Sequence, residues 1–472
     1  MQSISGWLPW FCLGLTVFCL TALGSNLFAA EPAAPAATPA ATARPADADL
    51  PTPMMRGLGI VTHFGRGPNW DVDKVLPLVQ KMGVSVIRDG PEWAGIEREK
   101  GVYVIPEGTQ HMFDAVTKAG IRLMFTVFRR NTLYENPLDP DACARYAAFM
   151  AKTWKPPEIC AYEIWNEPPN FDFPQQYKGK TWLPKYCEMV RKVAAAIREV
   201  QPKAVILHNV EGREWLEALQ KYPQDFAQVD GIDMHPYPKR NPAESFSLTT
   251  PAVEYPKKYL GRELQMWVGE YGYPTMKDTP GAHWMGVTEE TQAAYQVRGL
   301  LMGLQAGVKA WCIYDMVDEG TSPTDNEDNM GLVRNISRNH EPKPAFYSLQ
   351  RVARLMGPDW QMAPDVKAKL DVTLPPEAED RHVKITGPEA LWFRVGKDYV
   401  TFVWKAGWFV AEPNPPLGKI VWTGAPKVTS VQVQDLVSGK TVDAKLSGSG
   451  TVTLSGVPVG SAPVAIHWIV GK

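Results

Sequence analysis

Tyr162-Glu163-Ile164-Trp165-Asn166-Glu167-Pro168-Pro169 is the stretch from which the rest of the chain can be read. The apolar, β-prone run from Ile159 to Trp165 stops at an Asn-Glu pair, and the two prolines behind it cannot continue a strand. A carboxylic acid placed where a buried strand meets a loop is poorly solvated and faces open space. That setting favours its protonated form and suits Glu167 to give up a proton near neutral pH. Such an acid needs a partner carboxylate, and the flanking sequence shows where to look for one.

Outward from this stretch, apolar strand runs alternate with amphipathic helix patterns. The strand runs are Gly57–Phe64, Val84–Arg88, Ile121–Phe128, Ile159–Trp165, Ala204–Asn209, Val229–His235, Leu264–Tyr271 and Val308–Tyr314. Helix patterns fall between them, several stopped by a glycine (Gly83, Gly120) in the C-cap position. Eight strand-helix units in this order predict a parallel sheet closed into a (β/α)8 TIM barrel. No GxGxxG or Walker sequence supports a doubly wound nucleotide-binding sheet instead.

The flanks differ in texture. Residues 1–30 contain a nearly continuous apolar run, Trp7 to Leu23, followed by Ala29-Ala30, and read as a signal peptide. No Lys or Arg precedes Arg44, so retention as an N-terminal anchor is the alternative. Either reading places the body of the protein outside the cytoplasm. Residues 31–53 are rich in Ala and Pro and read as a linker. The catalytic barrel is expected over 54–357. From 358 to 472 the helical signal ends, and short β-prone runs (Val372–Leu374, Ala390–Val395, Tyr399–Trp404, Lys419–Trp422, Val428–Val433, Thr451–Leu454, Val464–Ile469) predict a small antiparallel β-sandwich. Its tryptophans Trp392, Trp404 and Trp422 are expected in the core and Trp408 in an exposed loop, with the domain packed on the barrel in a structural role.

In a barrel of this kind chemistry sits at the C-terminal ends of the strands. The polar residues there are His63, Arg88-Asp89, Asn166-Glu167, His208-Asn209, Asp233 to Tyr237, Glu270 and Tyr314-Asp315. Glu163 shares a strand side with Glu167 by two-residue alternation. Glu270 is the partner sought: it ends the apolar run Met266-Trp267-Val268 and has glycines at Gly269 and Gly272. Two carboxylates on opposite sides of a barrel mouth are what glycosidic-bond cleavage requires, one for the leaving oxygen and one for the anomeric carbon.

The Glu-Ile-Trp-Asn-Glu-Pro run, with Gly-Glu-Tyr-Gly about a hundred residues later, resembles the clan A glycoside hydrolases. Family 39 (β-xylosidase and exopolysaccharide-hydrolase types) is the nearest resemblance and family 5 the next, over most of Gly57 to Leu355. The resemblance implies a retaining enzyme with Glu167 as acid/base and Glu270 as nucleophile. It implies that Asn166 binds the sugar 2-hydroxyl, that Arg88 lies under Glu270 and favours its ionised form, and that Tyr237 of the His235-Pro236-Tyr237 run contacts Glu270. Glu163 is expected as a supporting hydrogen-bond acceptor, and Trp165, His63 and Tyr314 as further substrate contacts. Trp70, Trp93 and Trp284 near the mouth are candidates for stacking or for core. Two positions depart from the family pattern. Strand 3 offers Phe128-Arg129-Arg130 where family 5 has a His, and Tyr314 stands where a Trp is usual, unless Trp311 takes that part.

Composition bounds the alternatives. The 472 residues carry a net charge of −2 and no Lys/Arg-rich run, which gives no sign of a nucleic-acid partner. The expected partner is a carbohydrate substrate, bound by a monomer without a cofactor or metal. A metal-dependent barrel hydrolase would want clustered ligands, and Thr62-His63-Phe64 offers one His. A catalytically inactive carbohydrate-binding barrel is the other rival, and the presence of both carboxylates argues against it. Cys143, Cys160, Cys187 and Cys312 show no CxxC spacing; three disulfide pairings and free thiols are all open.

Overall fold

The computed structural model describes residues 45–127, 131–135, 139–168, 182–209, 212–245, 253–278, 283–374 and 388–471. The leader, residues 31–44 of the linker and Phe128-Arg129-Arg130 lie outside them.

Eight strands fall within the eight runs expected: β1 (Leu58–Val61), β2 (Val86–Asp89, running one residue beyond its run), β3 (Arg122–Thr126), β4 (Ile159–Ile164), β5 (Ile206–His208), β6 (Gly231–Met234), β7 (Gln265–Val268) and β8 (Trp311–Ile313). Every neighbouring pair is parallel and β8 closes on β1. The strands read as unbroken apolar runs because both faces are covered, one by the helix layer and one by the barrel interior. The helices are α1 (Val72–Met82), α2 (Glu107–Lys118), α3 (Pro140–Thr153), α4 (Trp182–Val200), α5 (Gly212–Lys221), α6 (Tyr255–Leu260), α7 (Glu289–Gln305) and α8 (Pro344–Met356). Start and stop signals act as read: Asp71 caps α1 by accepting from the Asp73 amide, and Gly83 ends it at a φ of 87°. A short helix (Trp93–Ile96) and a small hairpin (Glu97–Glu99 with Val102–Tyr103) elaborate the loop after β2.

Beyond α8 the described residues form nine strands: β9 (Trp360–Met362), β10 (Lys367–Asp371), β11 (Pro388–Val395), β12 (Asp398–Lys405), β13 (Leu417–Thr423), β14 (Val428–Asp435), β15 (Lys445–Ser447), β16 (Thr451–Pro458) and β17 (Val464–Val470). They form two antiparallel sheets, β9-β11-β12-β17-β14 and β10-β13-β16-β15. Val372–Leu374, expected as a strand, is not one; the strand is the preceding Lys-Ala-Lys-Leu-Asp, whose alternating lysines hide it. Ile420, Trp422, Leu454, Ile466 and Trp468 from both sheets fill the sandwich core, while Trp408 is 37% exposed.

The sandwich is tied to the barrel by buried polar groups that hydrogen-bond across the two. Arg298 of α7 is fully buried and donates to the carbonyls of Gly407, at 2.8 Å, and Ser461. Glu244 accepts from Trp404 Nε1 at 2.9 Å. The linker reading of 31–53 needs correcting at its end. Asp47 pairs with Arg351 of α8 at 2.8 Å and Ala48 is buried, so the segment from residue 45 is docked rather than a tether. Cys143, Cys160, Cys187 and Cys312, the four of the six cysteines that lie among the described residues, are free thiols.

Candidate active site

At the C-terminal mouth of the barrel lies a pocket of about 450 Å³, lined by His63, Arg88, Asn166, Glu167, Tyr237, Glu270 and Tyr314, among others. Arg88, from the end of β2, organises its floor. Its Nε and Nη2 grip the two oxygens of Glu163 at 2.7 Å each, Nη1 donates to Glu270 Oε1 at 2.7 Å, and Nη2 also reaches Asn166 Oδ1 at 2.6 Å. Burial opposes the guanidinium charge, but Glu163 and Glu270 outweigh it and hold the Arg88 pKa well above its ordinary value. Burial likewise pushes Glu163 up to about 7 against the pull of Arg88. Thr126 adds a third donor to Glu163 at 2.7 Å.

The end of β4 is built by two left-handed residues. Trp165 has φ 71° and Glu167 φ 43°, both uncommon for residues with side chains. Glu163 points into the barrel as strand alternation requires, but the alternation breaks at Trp165. Its indole turns away and is packed in the core at 2% exposure, which corrects the expectation that Trp165 touches substrate. The turn instead delivers Asn166 and Glu167 to the mouth. Asn209, at the end of β5, accepts from the Glu167 backbone N–H and fixes that turn.

His235 and Tyr237 follow β6. His235 Nδ1 lies 2.9 Å from Glu167 Oε1 and 3.6 Å from Glu270 Oε2, while Nε2 meets Asp233 Oδ2 at 3.2 Å. Burial works against a charged His235, yet Glu270, Asp233 and Glu167 together raise its pKa well above the usual histidine value. Tyr237 donates to Glu270 Oε2 at 2.7 Å, and burial with the nearby Glu270 charge pushes its phenol pKa up. One oxygen of Glu167, one of Glu270 and a ring nitrogen of His235 all lie within 4.8 Å of one another. Glu270 thus has both oxygens committed, one to Arg88 and one to Tyr237. Glu167 faces His235 at the same mouth.

The remaining candidates divide. His63 lines the pocket, its ring edge-on to Trp70 (5.0 Å) and Tyr314 (5.7 Å). Tyr314 lines it too and donates to Glu327 Oε2 at 2.8 Å. Trp311 is fully buried against Tyr271, so Tyr314 is the strand-8 aromatic on the pocket. Trp284 is a wall residue, edge-on to Tyr237 at 5.0 Å, whereas Trp70 and Trp93 are core. His208 is fully buried against Trp215 and pushed down to about 3 by that burial, away from the mouth. Asn209 and Asp233 stood at strand ends in the sequence without being singled out. Glu327 lies in a long loop where no periodicity marks it.

The comparisons with known proteins agree with this architecture. The family model described as cellulase (glycosyl hydrolase family 5) matches residues 62–315. No curated protein matches the chain. Among solved structures, a family 39 glycoside hydrolase from Bacteroides cellulosilyticus WH2 superposes with a TM-score of 0.64 at 19% identity, covering 88% of this chain and 81% of that one. A family 30 subfamily 8 xylanase from Clostridium acetobutylicum gives 0.56 at 13% identity, covering 89% and 97%. A glucosidase from Croceicoccus marinus gives 0.57 at 14% identity, covering 90% and 98%. Families 39 and 5, ranked in that order from the sequence, thus both reappear within clan A, and family 5 is the one whose model matches.

Proposed function

The chain belongs to glycosyl hydrolase family 5, and from that premise we propose that it is a retaining β-glycosidase acting by double displacement, with Glu270 as nucleophile and Glu167 as acid/base. The observation that carries the proposal is the meeting, at one barrel mouth, of two strand-end carboxylates whose oxygens come within 4.8 Å. Glu270 is held by Arg88 and Tyr237, each at 2.7 Å, as an aimed, ionised attacking group would be. Glu167, facing His235 Nδ1 at 2.9 Å, exchanges the proton. Their proximity suits the ~5–5.5 Å carboxyl spacing of retaining enzymes.

In the first step Glu270 attacks the anomeric carbon while Glu167 gives its proton to the departing oxygen. In the second, Glu167 takes a proton from water, the water oxygen attacks the same carbon, and the bond to Glu270 breaks. Asn166, its carbonyl engaged by Arg88 at 2.6 Å, has its amide NH2 to offer the sugar 2-hydroxyl. The substrate is an oligo- or polysaccharide met outside the cytoplasm, as the apolar leader of residues 1–30 suggests. His63, Tyr314 and Trp284 would shape the first sugar site.

Release of reducing ends from a panel of β-linked glycans tests the reading. The wild type should cleave at least one member and Glu270→Ala none. Identical behaviour of the two proteins would leave a carbohydrate-binding barrel as the better account.

A further inference from the structure

Asp233 sits inside the barrel, on the last turn of the pleat before His235, and is fully buried. Its Oδ2 faces His235 Nε2 at 3.2 Å and accepts from Asn209 Nδ2 at 3.1 Å. Asn209 in turn holds the Glu167 backbone N–H, and His235 Nδ1 faces the Glu167 carboxylate at 2.9 Å. One buried carboxylate therefore touches Glu167 by two routes, through a side chain and through a backbone amide. Room has been made for it: a Cβ on Gly269, the residue before Glu270, would collide with both Asp233 oxygens.

The charges around His235 explain the arrangement. Four carboxylates face the ring: Asp233, Glu167, Glu270 at 3.6 Å and Glu163 at 3.9 Å. Arg88 serves Glu163 and Glu270 at 2.7 Å but stands 4.0 Å from Asp233. The cation closest to Asp233 is thus His235 itself. An imidazole with a carboxylate on each nitrogen satisfies both only when both nitrogens carry hydrogen.

We infer that Asp233 is a positioning residue for the proposed reaction: it holds His235 doubly protonated against Glu167, so that the carboxylate formed on Glu167 meets a cation. The inference rests on reading Glu167 as the acid/base. When Glu167 passes its proton to the glycosidic oxygen and that C–O bond breaks, the new negative charge lies beside His235 Nδ1–H. When Glu167 takes a proton back from water the charge is discharged. His235 and Asp233 exchange no proton with substrate.

Asp233→Asn keeps the shape and removes the charge. In ¹⁵N-histidine spectra of the full chain, assigned with His235→Asn, His235 should lose its proton about one pH unit or more lower in Asp233→Asn than in wild type. On matched aryl glycosides of a sugar the wild type cleaves, the phenyl glycoside should lose at least about tenfold more kcat/KM than the 2,4-dinitrophenyl glycoside, which needs no acid. An unchanged His235 titration, or equal losses on both glycosides, overturns the inference. A wild type that cleaves no member of the β-linked glycan panel overturns the glycosidase reading, while the titration still decides the part of Asp233. Asp233→Ser is the second variant should the Asn protein fail to fold.

Discussion

Arg88 donates to Glu270 at 2.7 Å with the same guanidinium that binds Glu163 through two more bonds of 2.7 Å. The pair with Glu163 is fully buried, and the pair with Glu270 opens on the pocket. One side chain thereby holds the floor of the barrel and aims the proposed nucleophile.

Arg88→Met should therefore lower stability by about 3–5 kcal/mol, because it strands the buried Glu163. Arg88→Met/Glu163→Met should recover most of that loss in a urea titration. Activity should not return, since Glu270 has still lost its cation. Recovery of both stability and activity in the double variant would mean that Arg88 serves Glu163 alone.

Tyr237→Phe removes the other hydrogen bond to Glu270. A bond to a charged group contributes about 1.5–3 kcal/mol, so kcat/KM should fall roughly 10–150-fold. The phenol pKa is raised by burial and by Glu270, so Tyr237 stays protonated through the working range. The loss should accordingly be the same at every pH at which the enzyme is active. A loss confined to high pH would point to ionisation of Tyr237 instead.

Glu167→Ala should slow glycosides with poor leaving groups by about 10²–10⁴-fold and activated aryl glycosides far less in the first step. Azide, which needs no base, should restore turnover and give a β-glycosyl azide. Equal losses on both substrate types would count against Glu167 as the proton donor.

These residues differ in how far the sequence discloses them. The barrel was legible because strands buried on both faces leave unbroken apolar runs, and glycines and caps mark where the helices stop. Glu167, Glu270, Arg88, His235 and Tyr237 were legible because a barrel puts strand ends at one mouth. Trp165 was placed among the substrate contacts because it lies at the mouth, but a φ of 71° sends its indole into the core. Asp233 was named among the strand-end polar residues but given no role, because its meaning depends on contacts with Asn209 and His235. Glu327 and Trp284 reach the pocket from long loops, whose course no local pattern dictates.

The two domains should not be separable. Arg298 is fully buried and donates to two sandwich carbonyls, and Glu244 of the barrel accepts from Trp404. A chain ending at residue 357 would leave that arginine with Glu244 as its remaining partner and uncover the apolar face around it. Its soluble yield should collapse, and any soluble fraction should lack a cooperative thermal transition by circular dichroism. A stable, active barrel of 45–357 would make the sandwich dispensable.

Asp315 gives a prediction of opposite sign. It is fully buried behind Tyr314, neither of its carboxylate oxygens has a hydrogen-bond partner among the described residues, and His63 Nε2 stands 3.9 Å away. Burial, with Glu319 and Asp318 adding to it, raises its pKa well above 3.8. An acid raised by the fold takes up protons more readily folded than unfolded, so it subtracts stability as pH climbs above 3.8 and costs nothing below. Asp315→Asn should therefore match the wild type in Tm near pH 4 and exceed it at pH 8 by about 2 °C or more. A lower Tm in Asp315→Asn at pH 8, together with a wild-type Tm that a chelator reduces, would mean instead that the carboxylate is balanced by a cation shared with His63 and Glu319.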